Sequence, residues 1–406
     1  MLNKGLSRAI AVLFVLLCSG FAIAATPQPD AHDSSTMTPE GSNHGVPIRI
    51  GATIPDTGSL ADEGVLVRRG LMMWEADINE RAGLLGRKVE LTLRDDKSEP
   101  AEAVKQYRDM LASGINLFIS PYSSDMTVAV RDAIGKDDIA MIAIASAPQI
   151  WNSEDSRIFG AYTPATQHMD PFLNLIEKRG LTRVALAYQD ADFPRAVAEG
   201  VRTKAAELNL EIVLDQSYPE DSKSFASLAQ AMKDSKPDAI IVGGYLQDSI
   251  AFTEAAYNSG VKTKLIAFSG GPALREYGDT LGSEIANGVI STVQWTRGVR
   301  MPGSFDFGFR YRDQFGAYPS YDAAGGYGAA QILEAAVRLA ESAEPVNVRK
   351  ELYDLKFRSI LGHFRVDARG MQAAKPTYVV QWQDNHISLV YPPQLARWQV
   401  LYPLPW

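Results

Sequence analysis

Short apolar runs alternate with longer amphipathic stretches over residues 48–268, and this alternation restricts the fold more than any other feature of the chain. Apolar runs of about 4 to 8 residues are typical of buried strands, whereas the amphipathic stretches have helical spacing. Strands that alternate with helices form parallel sheets covered by helices on both faces. We therefore predict an α/β fold with doubly wound, Rossmann-like sheets.

The alternation occurs in two series, which predicts two halves. The predicted strands are 48–54, 89–93, 116–119 and 139–144 in the first half, and 184–188, 211–215, 239–242 and 265–268 in the second. Two lobes are also expected from length, because the cores of single domains rarely grow beyond roughly 250 to 300 residues. Predicted helices at 305–315, 321–341 and 348–355 should pack back on the first lobe.

The N-terminus is predicted to be a secretory signal peptide, residues 1–25. Lys4 and Arg8 precede an apolar run, and small residues up to Ala25 follow it. Residues 26–45 have almost no large apolar side chains, so we predict a disordered leader. A periplasmic location is expected. Cys18 is the only cysteine and could alternatively carry a lipid anchor. A bacterial lipoprotein signal has a small residue just before that cysteine, however, and Leu17 is bulky.

Charge and motifs exclude several classes of function. The formal net charge of −8 argues against a nucleic-acid partner. Cleavage of the signal would remove the only cysteine, so neither a disulfide nor a Cys-ligated metal is expected. The sequence has no nucleophile elbow, phosphate loop, His-Glu-x-x-His motif or correctly placed dinucleotide fingerprint. We therefore predict a protein that is not an enzyme and that has no cofactor or metal.

The residues that follow the predicted strands indicate a ligand site, because ligands of open α/β sheets bind beyond the carboxyl ends of strands. In the first half these turns are small or hydroxyl-bearing, as in Ser123-Ser124, which also suit the start of a helix and an anion. In the second half they include the aromatic residues Phe193 and Tyr245. This combination fits a small organic acid held between two lobes.

Several short motifs give the chain a resemblance to a known family. These are the Thr57-Gly58 turn, Ser123-Ser124 before a helix, Gly243-Gly244-Tyr245, and a Leu-Gly-x-Phe-x-Val-Asp-x-x-Gly run at 361–370. From residue 48 to about residue 390, their order and spacing resemble the periplasmic leucine/isoleucine/valine-binding proteins, which are type I solute-binding proteins of ABC importers. The resemblance covers almost the whole chain after the leader.

The resemblance implies two lobes joined by three crossovers, near 162–165, 291–294 and 362–364, with a ligand in the cleft. The implied lobes are 46–163 plus 293–362 and 164–292 plus 363–390, followed by a C-terminal extension, 391–406. By position, Ser124 matches a hydroxyl that meets the ligand carboxylate, and Glu63 stands where an aromatic lid residue is common. The other implied ligand neighbours are Ser123, Ala145, Ser146, Ala147, Phe193, Tyr245 and Ser269.

Ser269 departs from the pattern, because amino-acid binders of this family carry an acid at that position. A buried ammonium without a countercharge is strongly penalised, so we expect a carboxylate ligand without an amine, and Phe193 and Tyr245 favour an aromatic one. Two alternatives stay open: a branched-chain amino acid with Glu63 as its counterion, and a periplasmic sensor that signals to a membrane partner. The implied partners are the solute and the permease subunits of an ABC importer, and a monomer is expected.

Overall fold

The computed structural model describes residues 45–152 and 156–406. The predicted signal peptide with Cys18, and the leader up to residue 44, lie outside the described residues. No helix in the described ranges is long and apolar enough to cross a membrane.

The first sheet has five parallel strands in the order β2-β1-β3-β4-β5. The strands are β1 (Ile48–Ile54), β2 (Val89–Asp95), β3 (Leu117–Ile119), β4 (Ala140–Ala143) and β5 (Ile158–Gly160). Three helices connect them, α1 (Ala61–Glu80), α2 (Pro100–Ala112) and α3 (Ser124–Ile134). Every residue of β3, β4 and β5 is buried, as expected for strands covered on both faces.

The second sheet has seven strands in the order β14-β13-β10-β9-β8-β6-β7. The strands from β6 to β10 pair in parallel, whereas β13 pairs antiparallel with both β10 and β14. The strands are β6 (Arg183–Gln189), β7 (Glu211–Tyr218), β8 (Ala239–Gly243), β9 (Leu265–Phe268), β10 (Ile290–Val293), β13 (Tyr378–Gln383) and β14 (His386–Tyr391). Its helices are α4 (Asp170–Glu177), α5 (Asp192–Glu207), α6 (Ala226–Ser235), α7 (Leu246–Asn258) and α8 (Arg275–Ala286).

Three late helices return to the first lobe, as predicted. They are α9 (Ser304–Phe315), α10 (Tyr321–Ala340) and α11 (Pro345–Asp354), and the short antiparallel pair β11 (Phe357–Ser359) and β12 (Gly362–Phe364) follows them. The helices α1 and α10 pack at backbone distance: a Cβ on Gly70 would lie 2.0 Å from the carbonyl oxygen of Ala323. This close approach brings the N-terminal half of α1 against the start of α10, and Asp322 at that start lies close enough to Glu63 for its charge to act on the Glu63 carboxyl group.

The two-lobed α/β fold with three crossovers is therefore confirmed. The first crossover follows β5, and the second follows β10. The third was predicted at 362–364, but those residues form β12, and Gly370 still accepts a hydrogen bond from the backbone of Gly160 in the first lobe (2.8 Å). The chain passes to the second lobe only at 373–377. The exact lobe boundaries stay a prediction.

The C-terminal extension packs along the second lobe. The Trp406 ring lies 5.5 Å from the Tyr257 ring, and its Nε1 donates to the carbonyl oxygen of Ile285 (2.9 Å). The backbone of Leu404 donates to Lys264 (2.8 Å). Trp398, in contrast, is 58% exposed. The extension therefore covers the second lobe through its last residues.

Candidate functional site

A cavity lies between the two lobes, at the carboxyl ends of the strands of both sheets. Hydroxyl, carboxyl, aromatic and backbone groups line it. The lining residues are Glu63, Tyr122, Ser124, Ile144, Ala145, Ser146, Tyr162, His168, Phe193, Gly244, Tyr245, Gly271, Gln294 and Tyr321. No group of three or more His, Cys, Asp or Glu side chains suited to a metal ion occurs within the described ranges.

Ser124 joins two loops of the first lobe at the cavity. Ser123 is the N-cap of α3, and its hydroxyl accepts from the backbone N–H of Met126 (3.2 Å). The next hydroxyl, that of Ser124, accepts from the backbone N–H groups of Ser146 (3.3 Å) and Ala147 (3.1 Å) in the loop after β4. Since a hydroxyl has two acceptor positions and one hydrogen, Ser124 keeps its O–H as a donor at the cavity wall. A ligand carboxylate oxygen suits that donor.

Two carboxyl groups lie buried on the first-lobe side. Glu63, which lines the cavity, is 3% exposed, and Asp322 behind it is fully buried. Asp322 accepts from the Tyr122 hydroxyl (3.1 Å) and from the Ser320 hydroxyl (3.2 Å). Neither carboxyl group forms a salt bridge with another described residue.

Burial determines the protonation of these two groups. Loss of solvation raises the pKa of Glu63 to about 8, and the neighbouring Asp322 charge raises it further in the same direction. Burial likewise raises the pKa of Asp322 to about 7, against the opposing effect of the Tyr122 and Ser320 hydrogen bonds. Glu63 therefore carries a proton near neutral pH, and it can donate as well as accept a hydrogen bond.

Aromatic rings form a continuous part of the wall. The Tyr245 ring centroid lies 6.0 Å from that of Phe193 and 6.4 Å from that of Tyr122. Phe193 in turn meets His168 edge to face at 5.6 Å. Such rings bury large apolar areas and prefer tilted or edge-to-face contacts with another ring. The arrangement suits a flat or branched apolar group.

The end of the cavity nearest the crossovers is a network of satisfied polar groups. The Gln294 side chain accepts from the backbone N–H of Thr163 (2.9 Å) and donates to its carbonyl (3.0 Å). His168 Nε2 lies 3.1 Å from the carbonyl oxygen of Thr292, and its Nδ1 lies 3.3 Å from Gln294 Nε2. Burial lowers the pKa of His168 to about 4, so the ring is neutral and we assign its proton to Nε2. Both ring nitrogens are thus occupied.

The lobes contact each other at the mouth of the cavity. The backbone N–H of Leu246 donates to Glu63 Oε1 (3.2 Å), and the Gln247 side chain donates to Asp62 (2.8 Å). On the other side of the mouth, the backbone N–H of Asp192 donates to Asp125 (2.9 Å). These are contacts between α1 or α3 of the first lobe and α5 or α7 of the second, so the arrangement is closed.

Six of the nine predicted site residues line this cavity. They are Ser124, Ala145, Ser146, Glu63, Phe193 and Tyr245. Ser123 and Ala147 do not line it: the first caps α3, and the second holds the Ser124 hydroxyl through its backbone. Whether any of these residues binds a ligand stays a prediction.

Ser269 does not line the cavity either. Its hydroxyl accepts from the backbone N–H of Gly244 (3.1 Å) and donates to the Gly244 carbonyl (3.2 Å), so it fixes the loop after β8. Ser269 itself lies in the loop after β9, and that loop presents Gly271 to the cavity instead. Position 269, from which the sequence analysis inferred a missing acid, therefore does not face the cavity. The loop after β9 nevertheless contributes no charged side chain to the cavity wall.

Sequence reasoning missed much of the lining, chiefly Tyr122, Tyr162, His168, Gln294 and Tyr321. Tyr122 could have been found, because it lies in the same turn as Ser123 and Ser124. Tyr162 and Gln294 lie on crossovers, where no periodic pattern marks an inward side chain. Tyr321 opens α10, and only the packing of that helix on α1 brings it to the cavity.

Comparisons with known proteins find matches over most of the chain. The family model described as periplasmic binding protein matches residues 47–386. The Leu/Ile/Val-binding protein homolog 7 of Brucella abortus (strain 2308) is 25% identical over 385 residues, covering 88% of this chain and 94% of the relative.

Solved structures with the same fold include two complexes. The branched-chain amino acid transporter substrate binding protein LivJ of Streptococcus pneumoniae, in complex with isoleucine, has a TM-score of 0.77 at 21% identity and covers 88% of this chain and 100% of its own. A solute binding protein of an ABC transporter from Rhodopseudomonas palustris BisB5, in complex with 3,4-dihydroxy benzoic acid, has a TM-score of 0.76 at 19% identity. That match covers 88% of this chain and 98% of the other.

Proposed function

This chain belongs to the periplasmic binding protein family, and we propose that it is the substrate-binding protein of an ABC importer for a small carboxylate-bearing solute. The family is one of solute-binding proteins rather than of enzymes. The ligand would occupy the cavity between the lobes, and the closed protein would present it to a membrane permease on the periplasmic side. The observation that carries the proposal is the free hydroxyl donor of Ser124 at the wall of a cavity that also presents aromatic rings.

We infer further that the carboxylate solute lacks an amine and has an aromatic or branched apolar body. The rings of Phe193 and Tyr245 support the apolar body. The protonated state of Glu63 supports the missing amine, because a neutral carboxyl group cannot act as a countercharge. The complex of a structural neighbour with 3,4-dihydroxy benzoic acid shows that this fold can hold an aromatic acid.

A second candidate ligand is a branched-chain amino acid, and the observation in its favour is Glu63 itself. Its carboxyl group lines the cavity with Asp322 close behind it, and a ligand ammonium could draw the proton away from either acid. The isoleucine complex of a structural neighbour is consistent with this option. The two candidates differ in one group, so a matched pair of ligands separates them.

A thermal-shift panel of aromatic acids, short carboxylates and amino acids tests the proposal. A ligand at 100 times its Kd adds roughly 2.7 kcal/mol to the free energy of unfolding. We expect the largest shift from benzoate-like acids or 4-methylpentanoate, together with a smaller radius of gyration in solution scattering because the ligand favours the closed lobes. A panel in which no carboxylate raises the melting temperature would contradict the proposal.

The hydrogen bonds of Ser124 do not support a role for this residue as a catalytic nucleophile. Ser124 accepts hydrogen bonds only from backbone N–H groups, and within the part of the chain that the structure describes no His or carboxylate is bonded to its hydroxyl. A serine nucleophile needs such a base.

A further inference from the structure

Lys375 occupies the point where the three crossovers meet. It lies on the third crossover, and its Nζ donates to the carbonyl oxygen of Gln294 on the second (2.9 Å). The Thr163 hydroxyl, on the first crossover, donates to the carbonyl oxygen of Lys375 (2.9 Å). The lysine is only 7% exposed. Its side chain therefore crosses the interior between the lobes.

The charge of Lys375 has no acidic partner among the described residues. Its Nζ lies 5.6 Å from the ring centroid of Tyr162, and among the described residues it donates to an uncharged group, the carbonyl oxygen of Gln294. A buried ammonium without a carboxylate is costly, and burial lowers the pKa of Lys375 to about 7. A neutral side chain could bridge the crossovers without that desolvation cost. Bridging therefore does not explain why the residue here is a lysine.

The neighbours of Lys375 connect it to the cavity. Gln294, whose carbonyl binds the ammonium, and Tyr162, whose ring faces it, both line the cavity. His168 lines it too, and the Lys375 charge contributes to the lowered pKa of that ring. The positive potential of the lysine thus extends to the cavity wall at its crossover end. The two buried acids on the first-lobe side, Glu63 and Asp322, have pKa values raised to about 8 and about 7 by burial, so at pH 6.5 both are mainly protonated and do not cancel it.

We propose that Lys375 is a specificity-determining residue of the cavity: its uncompensated charge makes the site prefer anionic solutes over neutral solutes of the same shape. It acts through the Gln294, Tyr162 and His168 wall and does not need to touch the ligand. This inference rests on the proposed function, and it adds the net charge of the solute to it. At an effective dielectric constant near 20, a charge roughly 8 Å away changes the affinity for an anion by about tenfold or more.

The test compares each acid with its neutral amide by calorimetry at pH 6.5, below the pKa of the lysine. The probes are benzoate with benzamide and 4-methylpentanoate with 4-methylpentanamide. In the Lys375→Gln variant, which keeps a donor but not the charge, we expect the acid-over-amide affinity ratio to fall about tenfold while the amide affinity changes little. Lys375→Arg should keep the ratio. Lys262→Gln, which removes an exposed charge from the turn before β9, should also keep it.

Equal losses for acid and amide in Lys375→Gln would overturn the inference, because a purely structural bridge predicts that result. An unchanged ratio would overturn it as well. If the wild type bound neither member of either pair, both the proposed function and this inference would be contradicted. If the preference for the acid persisted in Lys375→Gln, only the inference would be contradicted.

A second measurement uses the wild type and does not depend on the folding of a variant. The Lys375 side-chain resonance can be titrated by NMR with and without each probe. Because binding and protonation are linked, benzoate should raise the pKa of Lys375 and benzamide should leave it unchanged. Equal effects of the two probes would contradict the inference.

Discussion

The two walls of the cavity offer different chemistry to a ligand. The first lobe contributes the polar side chains of Ser124, Ser146 and Glu63 together with three tyrosine rings, those of Tyr122, Tyr162 and Tyr321. The second lobe contributes the Phe193 and Tyr245 rings and the backbone of Gly244 and Gly271. The groups suited to a polar head group thus lie on the first-lobe wall, whereas the second-lobe wall offers only rings and backbone to an apolar body. A ligand with both parts contacts both lobes and favours their closure.

The largest expected effect on binding comes from removing the hydroxyl on the first-lobe wall. Ser124→Ala should weaken binding of a carboxylate by about 1 to 3 kcal/mol, measured by calorimetry. The free protein should also lose stability, by about 1 to 3 kcal/mol in urea unfolding, because the N–H groups of Ser146 and Ala147 lose their acceptor.

Ser123→Ala is the matched control for that experiment. It removes the cap of α3, which costs about 1 kcal/mol of stability, but it should leave the affinity unchanged because Ser123 does not line the cavity. The division between the walls would be wrong if Ser124→Ala bound the carboxylate as tightly as the wild type.

The second prediction concerns the protonation of the first-lobe wall. Burial raises the pKa of Glu63 from its ordinary value of 4.5 to about 8 in the folded chain. Between those values the folded state binds more protons than the unfolded state, so the free energy of unfolding falls as pH rises. Glu63→Gln removes that contribution, so we expect it to be more stable than the wild type by about 4 kcal/mol at pH 8, with little difference at pH 4.

Urea midpoints measured from pH 4 to pH 8 check this prediction. Glu80→Gln, which removes an exposed acid from the far end of the same helix, controls for a change of net charge. Parallel pH profiles of Glu63→Gln and the wild type would show that Glu63 ionises in the folded chain as it does in the unfolded one.

A smaller effect is expected on the second-lobe wall. Phe193→Leu keeps an apolar side chain but removes the ring contacts with Tyr245 and His168. Affinity for benzoate should fall by about 0.5 to 1.5 kcal/mol, the value of an aromatic pair beyond its buried area, and 4-methylpentanoate should be affected less. Tyr318→Leu, at an exposed ring outside the cavity lining, is the control. Equal losses for both ligands would mean that the ring only fills space.

The smallest effect on binding is predicted for Ser269→Ala. Its hydroxyl bonds only Gly244, so the change should cost about 1 kcal/mol of stability and leave the preference among ligands as it was. A change in the relative affinities of leucine and 4-methylpentanoate would instead show that position 269 senses the ligand.

The sequence predicted the fold well where periodicity was strong and less well where it was interrupted. The run at 48–54 became β1 with the predicted bounds. In contrast, β10 was missed because Ser291 and Thr292 interrupt its apolar run, although both are buried between strands. The helix α8 was missed because it contains glycines, one of which, Gly282, has a non-helical φ of 76°.

The site was predictable to the extent that it follows strand ends. Ser124, Ser146, Phe193 and Tyr245 come directly after strands, and all four line the cavity. Ser269 also follows a strand, but its side chain turns to a neighbouring loop, and strand order alone cannot show that direction. Groups such as Asp322 and Lys375 approach the cavity only through helix packing and crossover geometry, which a pattern along the chain does not encode.

The most direct test of the proposed ligand is a calorimetric comparison of leucine with 4-methylpentanoate, its deaminated analogue, in the wild type and in Glu63→Gln. The two ligands share a carboxylate and an apolar body, so common effects of lobe closure cancel in their ratio. We predict that the wild type binds 4-methylpentanoate more tightly and that Glu63→Gln keeps this order. Tighter binding of leucine by the wild type, with that preference lost in Glu63→Gln, would contradict the account and identify Glu63 as the counterion of an amino acid.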